Sequence, residues 1–149
     1  MPAAARLQRI YVDSSVWIAV LAREAPAAAL TNWLAEQEGQ LLASLWTRTE
    51  LASALGIKAR RGELTQKQVS LLLQEFERWA SGGLQMLAVD GQDFAAAAAL
   101  CEDVTSGLRA GDALHLSVAR RCQASHLLSL DVDMMKRAPA LGLAVVAWK

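Results

Sequence analysis

Short runs of consecutive apolar residues alternate along this chain with stretches whose apolar positions recur every three or four residues. That alternation predicts a repeat of strand and helix. The first run, Leu7 to Val12, is apolar at Ile10, Tyr11 and Val12 in succession, as expected of a strand buried on both faces of a parallel sheet. Asp13-Ser14-Ser15 offers caps for a helix carrying Val16, Trp17, Val20 and Leu21 on its apolar side. Pro26 opens a second helix through Leu30, Trp33 and Leu34, ending near Gly39. Gln40 to Ser44 reads as a second strand. From Leu45 to Arg61 the helical period returns, with Leu51, Ala54, Leu55 and Lys58 on one face and Gly62 as the stop. Thr65 then caps a long amphipathic helix carrying Val69, Leu72, Leu73, Phe76 and Trp79, ended by Gly82-Gly83. These two helices, over about 45–81, form an antiparallel pair inserted between the second and third strands.

Leu84 to Val89 is a third strand candidate. Asp90 and Asp93 make a box-like start for the alanine-rich helix from Phe94 to Val104, since alanine is the best helix former. Thr105-Ser106-Gly107 breaks the chain before a helix containing Asp112, whose inward stripe is Leu114, Val118 and Cys122, widened by Ala113 and Leu116. Ser125 to Leu130 is a fourth strand, Asp131 to Leu141 a short helix, and Leu143 to Ala147 a fifth strand. The expected architecture is α/β, a three-layer α/β/α sandwich around a five-stranded parallel sheet. No repeat or long linker divides the chain, so one domain over residues 1–149 is expected.

Composition sharpens this picture in a few places. With 54% hydrophobic and 20% charged residues, the chain is expected to fold rather than stay disordered. A net charge of zero gives no long-range basic field to attract nucleic acid, which leaves local patches as the only route to it. Cys101 and Cys122 are too few to staple such a domain and make no cysteine-based zinc site; they suit small reduced core residues of a cytosolic protein. Arg6 and Arg9 precede an apolar run from Ile10 to Ala22, but Asp13, Ser14 and Ser15 interrupt it and no cleavage site closes it. No stretch is long enough to span a bilayer, and the expected location is the cytoplasm.

Four acids stand out. Asp13 follows the first strand, Glu50 lies in the third helix, Asp112 opens the sixth, and Asp131 follows the fourth strand. Each aspartate has an ordinary use available as a helix cap or dipole partner. Glu50 has Trp46, Thr47, Ser53 and Ala54 at helical spacing, so no intrahelical ion pair accounts for it. In an open α/β sheet, ligands bind beyond the carboxyl ends of the strands where strand order reverses. If the first and fourth strands meet there, Asp13 and Asp131 face one crevice. Two carboxylates about 5 Å apart repel by roughly 3 kcal/mol at an effective dielectric near 20. Such a cluster persists only if the acids protonate or a cation neutralises them. Oxygen ligands without Cys/His sets point to Mg2+ or Mn2+.

Four blocks carry these acids: Tyr11-Val12-Asp13-Ser14-Ser15-Val16-Trp17-Ile18, Thr49-Glu50-Leu51, Leu108-Arg109-Ala110-Gly111-Asp112-Ala113-Leu114-His115-Leu116, and Leu128-Ser129-Leu130-Asp131. In that order they resemble the signature blocks of PIN-domain ribonucleases, and most nearly the VapC-type toxins of bacterial toxin–antitoxin pairs. The resemblance runs from Ile10 to Val146. The fourth block departs from the family's pattern: Leu130 replaces an aromatic, and Val132-Asp133 stands where a basic residue is usual, so Asp131 and Asp133 compete for the fourth place.

The resemblance implies strand order 3-2-1-4-5 and a metal-dependent endoribonuclease acting as the toxin of a type II system. Asp13 and Asp112 would chiefly hold Mg2+ or Mn2+, with Glu50 and Asp131 ligating directly or through water. Ser14 or Ser15 would hold a water or the scissile phosphate, or cap the helix instead. Arg48 and Arg109, with Lys58, Arg60 and Arg61, flank the blocks and could meet RNA phosphates. Single-stranded or looped RNA is the expected target. A homodimer is implied, as is a VapB-like antitoxin whose arginine reaches the acids. His115, one turn beyond Asp112, is read as a partly buried helix residue rather than a general base, and His126 as packing. Two other readings stay open. One is a catalytically degenerate PIN-like binding or scaffold module; the other is a phosphohydrolase of small phosphate esters, suggested by Asp131-Val132-Asp133.

Overall fold

The computed structural model describes residues 8–149. Five short strands, β1 (Arg9–Val12), β2 (Gln40–Ser44), β3 (Gln85–Leu87), β4 (His126–Leu128) and β5 (Ala144–Val145), form one sheet in the order β3-β2-β1-β4-β5. Every pairing is parallel, with Tyr11 opposite Leu42 on one side and Leu127 on the other. Both the parallel sheet and its order agree with expectation. Leu7, the expected first residue of β1, lies outside the described residues, as does Arg6.

The consecutive apolar residues of β1 are explained by two cores. Alternate strand residues point to opposite faces. Ile10 and Val12 join Trp17, Leu30, Leu51 and Phe76 on one face, whereas Tyr11 joins Leu42, Leu116, Leu127 and Met134 on the other. The first face is covered by α1 (Ser14–Leu21), α2 (Ala27–Glu36) and the pair α3 (Leu45–Arg60) and α4 (Gln66–Ser81). There Trp17 of α1 meets Phe76 and Trp79 of α4 edge-on, with ring centroids 5.3 Å apart in each pair. Thr65 and Gln68 close a reciprocal capping box at the start of α4.

The other face is covered by α5 (Gly91–Glu102), α6 (Ala110–Arg121) and α7 (Val132–Arg137). Asp90 and Asp93 form the expected box on α5. Asp93 also receives a forked pair of hydrogen bonds from Arg121, tying α5 to α6. α6 departs from expectation: Ala113 to Ala119 are all buried, so it is enclosed on every side rather than along one stripe. It lies between the sheet and α5, whose alanines allow close approach, and Cys122 is its half-buried C-cap. The segment after β4 is also shorter than expected. α7 ends at Arg137, and Pro139 and the left-handed Gly142 turn the chain through a 3-10 segment into an edge strand of two residues. Among the described residues, no helix is long and apolar enough to cross a membrane.

Candidate active site

The carboxyl ends of β1, β2 and β4 converge at the edge from which Asp13, α3 and Asp131 emerge. β1 is central, and the chain returns to pair β4 on its other side only after laying down β2 and β3. Strand order therefore reverses between β1 and β4, where a crevice is expected. The β1 ladder runs one residue beyond the strand, as the Asp13 N–H donates to the Leu128 carbonyl at 3.1 Å.

Asp13 occupies the N-cap position of α1, yet its side chain accepts nothing from the helix backbone. The capping expectation is overturned. Its carboxylate is 3% exposed and accepts the Ser15 hydroxyl at 2.6 Å and the Ser129 hydroxyl at 3.0 Å. Ser15 Oγ in turn accepts the Leu130 N–H, and Ser129 Oγ the Asp131 N–H, so both serines fasten the β4 exit to Asp13. Neither Ser14 nor Ser15 caps α1, contrary to expectation. Burial pushes the Asp13 carboxyl up to about 6, with the Asp112 charge adding to it; His115 and the two serine hydroxyls only partly offset this.

Asp112 lies in the first turn of α6, half-buried. Burial raises its pKa, and the charges of Asp131 and Glu50 raise it further against the Arg109 N–H and His115. Asp131 does cap α7, accepting the Met134 N–H at 2.8 Å, and it is the acid of its block that acts on Asp112. Asp133 turns elsewhere: its carboxyl lies against Gly107, 3.0 Å from where a β-carbon would sit.

Glu50 is placed by contacts from other elements. Its Oε1 accepts the Ser14 hydroxyl at 2.7 Å and the Nε2–H of His115. Burial opposes its charge, but His115 and Ser14 outweigh this and hold its pKa below the usual value. His115 is 1% exposed and fully engaged with the acid cluster, rather than being a partly buried spectator. Its Nδ1 meets the Tyr11 hydroxyl at 2.7 Å, and that hydroxyl pairs with the Ser44 hydroxyl at 2.9 Å. Tyr11, enclosed by the core, is held far above the ordinary phenol range by burial. His126 instead sits on β4 beside Ser125.

The basic residues divide. Arg48 pairs with Glu77 of α4 by two hydrogen bonds at 2.7 and 2.8 Å, and Lys58 reaches Glu24 and Glu63, so either would meet RNA only by giving up a solvent-exposed ion pair. Arg109 is exposed at the N-cap of α6 and has no ion pair among the described residues, while Arg60 and Arg61 lie exposed at the far end of α3.

Among the described residues, no three Asp, Glu, His or Cys side chains converge closely enough to make a ready cage for an ion. Nor does any Lys or Arg pair with Asp13, Asp112 or Asp131. Among the described residues the acids form a field of oxygen donors without a Lys or Arg partner; burial first, and the charges of neighbouring acids second, raise the pKa values of Asp13 and Asp112. This donor set fits a hard divalent cation that keeps much of its water shell. Concavities of about 580 Å³, lined by Val20, Asn32 and Trp79, and of about 530 Å³, between α5 and α6, lie away from the acids.

The PIN domain sequence model matches residues 10–141 of this chain. The chain belongs to the PIN-domain family. No curated protein sequence matches this PIN domain. Solved structures do resemble it. VapC20 from Mycobacterium tuberculosis, described as a sarcin–ricin loop cleaving toxin, superposes with a TM-score of 0.69 at 18% identity, covering 91% of this chain and 96% of its own. VapBC2 from Rickettsia felis, bound to a DNA fragment from their promoter, gives 0.68 at 15% identity over 95% of this chain and 100% of its own. A toxin–antitoxin complex from Klebsiella pneumoniae gives 0.61 at 19% identity over 94% and 98%. At these identities the likeness establishes the fold.

Sequence reasoning did not assign Ser129, Gly111 or Tyr11 to the site. For Ser129 a signal existed, two residues before Asp131. His115 lies three residues after Asp112, so both share a helix face. For Tyr11 the same signal existed, since it stands two residues before Asp13 on β1, though its contact with His115 depends on the packing of α6 against the sheet.

Proposed function

We propose that this PIN domain is a metal-dependent endoribonuclease, using Mg2+ or Mn2+, and the toxin of a type II toxin–antitoxin pair. The observation that carries the reading is Asp13. Its carboxylate is buried at a helix start without capping that helix, fixed by two serine hydroxyls, near the charge of Asp112, and, among the described residues, without a Lys or Arg partner. A fold tolerates such a group when a ligand neutralises it, and charge repulsion between acids is then repaid on binding.

In this reading Asp13 and Asp112 hold the ion, with Asp131 and Glu50 ligating or orienting its water. A bound divalent cation lowers the pKa of water and stabilises the charge that develops on a phosphodiester undergoing in-line hydrolysis. Ser15 and Ser129 orient the Asp13 carboxylate, and Ser14 and His115 hold Glu50. Arg109, exposed beside Asp112, is the phosphate-contacting residue, with single-stranded or looped RNA as substrate. The toxin assignment draws support from the described neighbours, which include toxin–antitoxin complexes. A small antitoxin whose arginine enters the acid cluster would silence it, and a homodimer and cytoplasmic location go with this reading.

The test is cleavage of a panel of structured and unstructured RNAs with Mg2+ or Mn2+, by wild type and Asp112→Asn. Cleavage by wild type alone, with growth arrest on expression relieved by the variant, is the expected result. A folded wild type that cuts no RNA favours the scaffold reading, and turnover of a chromogenic phosphate monoester without RNA cleavage favours the phosphohydrolase.

A further inference from the structure

Glu50 differs from the other three acids in how it is held, and the difference points to a residue with a role of its own. Its Oε1 is engaged by the Ser14 hydroxyl and by His115 Nε2. Its Oε2 lies 2.9 Å from where a β-carbon on Gly111 would stand, and the Trp46 Nε1 lies 3.3 Å from the same point. The carboxylate thus occupies the space that the missing side chain of Gly111 leaves open, one residue before Asp112. Behind it, His115 is fixed through Nδ1 by the Tyr11 hydroxyl, itself bonded to Ser44 at the end of β2. Glu50 at the head of this chain of contacts is partly exposed, whereas His115, Tyr11 and Ser44 behind it are each 1% exposed or less.

We infer that His115 is a positioning residue for Glu50, backed by Tyr11 and Ser44, and that Gly111 is required because the Glu50 carboxylate fills its empty side-chain space. The argument rests on geometry. Nε2–H donates to Glu50 in either charge state of the ring, and the Tyr11 hydroxyl satisfies Nδ1 by donating to the neutral ring or accepting from the protonated one. A buried network whose members are all satisfied fixes one geometry. Partners one shell behind a functional group commonly change activity 10–100-fold when removed. The inference rests on the nuclease reading for its effect on rate, while the placement of Glu50 is independent of it.

Two variants test it without removing an acid. In Gly111→Ala the new β-carbon would collide with the far end of the flexible Glu50 side chain and press on the Trp46 indole nitrogen, so Glu50 moves, Trp46 gives by a few tenths of an ångström, and the fold stays. Alanine also favours the helix, so the variant is expected to melt no lower than wild type. Its kcat is expected to fall on the order of 10²-fold, as for a reacting group displaced by about 1 Å, with KM nearly unchanged. Tyr11→Phe is expected to lower kcat on the order of 10-fold. Neither change is expected to cost anything further in a Glu50→Gln background.

Nitrogen-15 spectra of the His115 ring at alkaline pH supply a readout that needs no activity. A single tautomer protonated at Nε2 is expected in wild type, and a mixture in Tyr11→Phe. Gly111→Ala with full kcat, additive losses in the Glu50→Gln background, or a ring protonated at Nδ1 in wild type would each overturn the inference. Should wild type cut no RNA, the nuclease reading falls, and the ring spectrum alone decides whether His115 holds Glu50.

Discussion

Replacing Asp13 by Asn should make this protein more stable at neutral pH while destroying its activity. The Asp13 carboxyl titrates near 6 in the folded chain against 3.8 when unperturbed, because burial disfavours its charge. Between those two values the native state binds more protons than the unfolded state, so stability falls as pH rises through that window. A gap of about two units amounts to about 3 kcal/mol lost by pH 7. Asn is the neutral isostere and avoids that loss. It must still satisfy the Ser15 and Ser129 hydroxyls with one carbonyl and one amide, at a cost of about 1 kcal/mol.

A net gain of about 2 kcal/mol corresponds to a rise in Tm of about 4–8 °C for a chain of this size. Thermal melts of both proteins in chelator at pH 4, 5, 6 and 7 provide the assay. The difference should be largest at pH 7 and shrink towards pH 4. Millimolar Mg2+ should then stabilise the wild type and leave the variant unmoved, since binding adds to native stability only where a site exists. A variant that melts below wild type at pH 7, or a difference independent of pH, would refute the reasoning.

Other consequences are smaller or narrower. Ser129→Ala removes a hydroxyl that stabilises the Asp13 charge, so the acid limb of a kcat/KM profile should move to higher pH. Arg48→Ala breaks only an exposed ion pair with Glu77; it should cost under about 1 kcal/mol in a denaturant melt and leave RNA binding intact. Arg109→Ala should weaken RNA binding and reduce the slope of log affinity against log salt by about 1, read by fluorescence anisotropy. Asp93→Ala removes the reciprocal half of the α5 capping box and the partner of Arg121 and should cost about 2–3 kcal/mol in stability with kcat unchanged.

Much of the fold was legible because the physics behind it is local. Ile10-Tyr11-Val12 can be apolar in succession only if both faces are covered, and the capping boxes at Thr65 and Asp90 lie within four residues of chain. Elements set by distant packing were harder to read. The seven buried residues of α6 look amphipathic at best in sequence, since enclosure by α5 leaves no mark on α6 itself. The candidate site shows the same division. The acids could be picked out from their places after strands and at helix starts. Whether each one caps is a matter of rotamer, so Asp13 and Asp131 looked alike although only Asp131 caps its helix. Arg48 looked available because Glu77 is 29 residues away on another helix.

The central claim is that Asp13 and Asp112 anchor a divalent cation on which RNA cleavage depends. Calorimetric titration of Mg2+ and Mn2+ into wild type and Asp112→Asn, paired with cleavage of one RNA by the same samples, tests it most directly. Binding and cleavage should both be present in wild type and both be lost in the variant. Equal metal binding by the two proteins, or cleavage by a wild type that takes up no metal, would contradict the account.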